Sequence, residues 1–78
     1  MNITQQAVYR ALRRAMEERC LTRVAMCRKA GVSNSSIDNI KLGNHWPRLD
    51  TFCLLADGLG MKPSELLALV EEEQEAER

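Results

Sequence analysis

Apolar side chains recur every three or four residues in five stretches of this chain, and turn-forming residues separate the stretches. Val8, Leu12, Ala15 and Met16, with Ala11 beside them, give a first helix over about residues 4–19 an inner face, and Thr4 or Asn2 can cap it. Thr22 suits the N-cap of a second helix, about 23–30, whose inner face carries Met26, Cys27 and Ala30. Gly31 ends that helix, because glycine takes the left-handed conformation without a Cβ clash, and Val32 plugs the turn. Ser33 is the cap candidate for a third helix, about 34–42, with Ile37 and Ile40 inward and Gly43 beyond it. Pro47 makes Asn44, His45 and Trp46 a loop. A fourth helix spans about 49–59, with Leu49, Phe52, Leu55, Ala56 and Leu59 as its stripe and Gly60 as its stop. Pro63 and Glu65 fit the first turn of a fifth, which presents Leu66, Leu67 and Val70. The segment EEEQEAER is expected to fray as an acidic tail, residues 71–78, after one domain over 1–70.

The architecture predicted is therefore all-α: a compact five-helix domain. Aromatic residues are scarce and β-rich runs are missing. A chain of 78 residues buries only about 60% of its unfolded surface, so its core is thin. No apolar run approaches the roughly 20 residues of a membrane span, and none resembles a signal peptide. Cys20, Cys27 and Cys53 form no paired motif, and one histidine completes no zinc site. Reduced thiols, a cytoplasmic setting, and no cofactor, metal or small-molecule ligand are the expectations. An enzyme is excluded on the same reading: nothing in the sequence pairs carboxylates in a cleft or cradles a phosphate.

Net charge is zero, yet it is unevenly distributed. Residues 1–48 hold nine lysines and arginines against three acids, while residues 49–78 hold two against eight. Phosphate affinity follows local charge, so the basic part can face DNA while the acidic end faces away.

The second and third helices, clamped across Gly31, have the form of a helix-turn-helix. The outer face of the third carries Asn34, Ser35, Asp38 and Asn39. An asparagine amide matches adenine N6 and N7, and a serine hydroxyl donates or accepts. Asp38 can accept from cytosine N4 but repels phosphate, which favours a solvated role. Arg23, Ser33, Lys41, Asn44, His45 and Arg48 flank this face as candidate phosphate contacts, with Ser33 also read as the helix cap. Trp46 either lies beside the DNA backbone or packs over the loop and a partner subunit.

Leu21-Thr22, Met26-Cys27, Ala30-Gly31-Val32-Ser33, Ile37, Ile40, Gly43, Pro47, Leu49, Thr51, Leu55-Ala56, Leu59-Gly60 and Glu65-Leu66 together resemble the lambda-repressor-like (Cro/repressor, XRE) helix-turn-helix family. The resemblance covers about residues 8–70. It implies a transcriptional regulator, phage-repressor-like, controller-type or antitoxin-type, in a bacterial or phage setting. It also implies a homodimer on a pseudo-palindromic double-stranded operator, with the strongest base contacts from Asn34, Ser35 and Asn39. Leu54, Leu69, Val70 and Trp46 are the dimer candidates, since related proteins often pair through their last two helices. Four departures mark this chain. Cys27 stands where alanine is usual, Val24 and Ala25 where polar residues are frequent, and Cys20 where glycine is common. Met16 and Lys41 replace a frequent arginine–glutamate pair. The competing class is a protein-interaction module that kept the fold and lost specific DNA binding, with a protein partner in place of DNA.

Overall fold

The Thr4 hydroxyl accepts the Ala7 N–H at 3.1 Å, satisfying one of the donors that a helix start leaves free, and α1 runs Gln5–Glu18. Thr22 repeats the device before α2 (Arg23–Ala30), accepting from the Ala25 N–H at 3.1 Å. α3 (Asn34–Leu42), α4 (Leu49–Leu59) and α5 (Pro63–Ala76) follow. This computed structural model describes residues 2–77, and among them there is no strand. Pro63 opens α5, and the Glu65 carboxylate accepts the Lys62 N–H at 2.9 Å.

The four inter-helix turns share one closure. Leu21 N–H reaches the Met16 carbonyl at 2.9 Å, Val32 reaches Cys27 at 3.1 Å, Asn44 reaches Asn39 at 2.9 Å, and Met61 reaches Ala56 at 3.0 Å. Each bond wraps a helix end around one left-handed residue. That residue is glycine at 31, 43 and 60, but at the first turn it is Cys20, with φ 52°. The turn keeps the geometry a glycine would give, at a steric cost of roughly 1–2 kcal/mol.

Leu12, Met26, Ile37, Leu55, Leu66 and Val70 form the enclosed centre, so every helix contributes to one core. α1 lies against α5 and α3, while α2 lies against α4. Gly58 permits that second contact: a Cβ there would stand 2.9 Å from both the Ala30 Cβ and the Met26 carbonyl oxygen. Cys27 is buried, as expected of a small residue at the helix-turn-helix joint. Met16 enters the core, and the Lys41 ammonium lies over the Tyr9 ring, 5.8 Å from its centroid. A cation–π contact thus engages Lys41.

Three expectations are corrected. Leu49 is 79% exposed and Leu67 is also exposed, so the stripes of α4 and α5 are narrower than periodicity implies. Val70, expected on the inner face of the fifth helix and also as a dimer candidate, is 1% exposed and belongs to the core. The segment from Glu71, expected as a frayed tail, is helical: α5 continues through Ala76. Arg10 pairs with Glu73 at 3.3 Å and with Glu77, and Arg14 pairs with Glu72 at 3.4 Å and Glu73 at 3.6 Å. The Gln74 side-chain oxygen also accepts the Thr4 N–H at 2.7 Å. Arginines on α1 neutralise the acids that were expected to keep this stretch in water. Arg78 lies outside the described residues.

Candidate nucleic-acid interface

Ile37 and Ile40 anchor α3 in the core, which turns its opposite side outward. Asn34 and Ser35 stand exposed on the first turn, and Asp38 is exposed one turn later. Nine residues at about 1.5 Å each make α3 roughly 13 Å long, and a helix with its side chains, about 10–12 Å across, matches the roughly 12 Å width of the B-DNA major groove.

Asn39 lies apart from those three. It is half-buried and lines an open cleft of about 240 Å³, bounded by Ser36, Ile40, His45, Trp46, Pro47, Arg48 and Thr51. The structure therefore brings His45 and Arg48 together with Asn39 at the C-terminal half of α3. Asn44 is exposed in the same loop without lining the cleft, and Lys41 turns toward Tyr9 on α1. Ser36 and Thr51 were not among the candidates. Ser36 could have been found from its spacing, since three residues separate it from Asn39 and both then share one helix face.

Ser33 and Arg23 differ from their expected roles. Ser33 holds the N-cap position, but its hydroxyl bonds the hydroxyls of Ser35 and Ser36, both at 3.0 Å, and caps no backbone N–H. Two neighbouring hydroxyls satisfy it without the backbone. Arg23 is engaged within the protein: its Nη2 donates to Asp38 Oδ1 at 2.5 Å and to the Asn34 carbonyl at 3.5 Å. Asp38 is consequently paired rather than merely solvated. Arg48 donates to Asp50 Oδ2 at 3.0 Å.

Trp46 joins this face to a second surface. The Gln5 amide, placed by its two partners, donates to the Gly43 carbonyl at 3.0 Å and accepts from the Trp46 indole N–H at 2.8 Å. The tryptophan is tied to α1 and still exposed. Its ring also edges an apolar groove of about 300 Å³ lined by Ile3, Val8, Pro47, Leu49, Phe52, Leu67 and Val70. Leu54, exposed, and Leu69, half-buried, do not line it.

Burial pushes the Cys27 thiol pKa up, against a weaker opposing pull from the Arg23 guanidinium, which disfavours the thiolate. No metal-binding group of histidine, cysteine and acids is found among the described residues.

The family model for a helix-turn-helix domain matches residues 10–69. The chain belongs to this family, which is of the XRE/lambda-repressor-like type. No curated protein and no solved structure gives a significant match. A helix-turn-helix domain of this type is a DNA-binding module, and such modules are typically non-enzymatic. No described helix is long and apolar enough to cross a membrane. The helix-turn-helix of this chain is α2-Gly31-α3, and the exposed side of α3 is polar.

Proposed function

We propose that this helix-turn-helix domain is a sequence-specific regulator of the repressor or Cro type. It binds a pseudo-palindromic operator as a dimer, with α3 in the major groove. The observation that carries this reading is the exposed row Asn34, Ser35 and Asp38 on α3, continued by Asn39 in the adjoining cleft. These amides and hydroxyls can address base edges, while His45, Arg48 and Asn44 stand beside them for the following phosphates.

Two features support a dimer. The domain extends 33 × 24 × 20 Å, so one copy covers about one turn of duplex and a half-site. The apolar groove shares Trp46 and Pro47 with the cleft, so a two-fold contact there would set a second α3 alongside. On this reading Leu49, Phe52 and Leu67 join Trp46 in the interface. A protein-interaction role is favoured by one observation: Arg10, Arg13, Arg14, Arg23 and Arg48 all pair with acids of the same chain.

Selection from a random duplex library, followed by titrations at several salt concentrations, separates the two. Enrichment of an inverted half-site with a two-to-one protein–duplex stoichiometry supports the regulator. Absence of any binding at low salt refutes it and leaves the interaction module.

A further inference from the structure

Arg23 opens α2, and Asp38 lies on the outer side of α3 between the two asparagines offered to base edges. An unpaired carboxylate there would meet the phosphate field of any duplex, and an unpaired guanidinium would bind any phosphate. Each is held by the other instead. Arg23 Nη2 is shared between Asp38 and the Asn34 carbonyl, and its Nε is buried with no partner, which leaves Nη1 alone for an outside oxygen.

We propose that Asp38 is a specificity-determining residue that acts through Arg23: the neutral pair withholds a phosphate anchor from duplexes that α3 does not fit. The inference rests on the DNA-binding reading above. Paired, Arg23 releases no counterion and gains nothing from random sequence. An ion pair with this exposure is held by a factor of about five at most, so base contacts along α3 suffice to free Arg23 at a matching site. Arg48 and Asp50 differ, because both are more exposed (82% and 64%) and salt already loosens them.

The test compares Asp38→Asn with Asp57→Asn. Both remove one negative charge, but the cleft that Asp57 lines, with Arg19 and Lys29, includes no α3 residue. Binding is measured on a random-sequence duplex and on a selected site across a salt series. Melting curves check that each variant folds, and Asp38→Ala carries the same expectation should the asparagine variant not fold. Asp38→Asn is expected to tighten random-duplex binding about three- to fivefold and steepen its salt slope by about one ion, with a smaller gain on the selected site. Asp57→Asn is expected to leave the slope unchanged. In an Arg23→Gln background the Asp38→Asn gain should vanish. Weaker binding by Asp38→Asn, an unchanged slope, or a gain that persists without Arg23 overturns the inference while the DNA reading stands. If neither the parent protein nor Asp38→Asn binds any duplex at low salt, the DNA reading and the inference fall together.

Discussion

At Gly58 a methyl group would meet both the side chain of Ala30 and the backbone of Met26, so the separation of α2 and α4 depends on a missing carbon. Alanine is the better helix former by about 1 kcal/mol, yet forcing atoms into a filled site costs about 1–3 kcal/mol. Gly58→Ala is therefore expected to lower stability in urea unfolding by up to about 2 kcal/mol. A gain would show that the two helices have room to part. Cys20 presents the opposite case. It occupies a left-handed position that glycine fills without a clash, so Cys20→Gly is expected to raise stability by about 1 kcal/mol in the same assay. Periodicity identifies which residues face inward, but it carries no information on how closely two backbones approach. Gly58 therefore passes for an ordinary helix residue, although an isolated glycine inside an apolar stripe is a signal of close contact.

The boundaries of α1 to α4 follow from caps and left-handed stops that are local in sequence, which is why they are legible there. Thr4, Thr22, Gly31, Gly43 and Gly60 each act on residues within one turn. The end of α5 depends on partners more than sixty residues away, and no local pattern reveals them. Charge read as a reason for fraying becomes the reason for order once Arg10 and Arg14 face it. The same pairing makes the α1–α5 contact sensitive to acid. Hydrogen bonding from Arg10, then from Thr4, holds the Glu77 carboxyl below its ordinary pKa. A carboxylate with a depressed folded pKa stabilises fully above its unfolded value, and the contribution is lost as pH falls through the folded value. Melting temperature is thus expected to fall more steeply below about pH 4 in the parent protein than in Glu77→Gln. Identical acid profiles would show that Glu77 is solvated.

At the scale of the whole molecule, the split between a basic and an acidic part of the sequence does not become a split between two faces. α5 folds its acids onto α1, and Asp38 and Asp50 pair with arginines at the two ends of α3. On the proposed function, recognition by α3 therefore depends more on amides and hydroxyls than on bulk charge, and its specificity should exceed what phosphate contacts alone provide. The fold and the position of α3 were legible because they rest on apolar spacing. The pairing of Arg23, the orientation of Lys41 and the exposure of Leu49 were not, since each depends on which helices become neighbours. The central claim is that α3 reads sequence while the flanking residues supply general affinity. Its most direct measurement is the affinity of Asn39→Ala and Arg48→Ala for a selected site and for its single-base variants. Asn39→Ala is predicted to lose about 1–3 kcal/mol and the discrimination at one base position, while Arg48→Ala weakens all duplexes alike. Uniform losses from both substitutions would contradict the account.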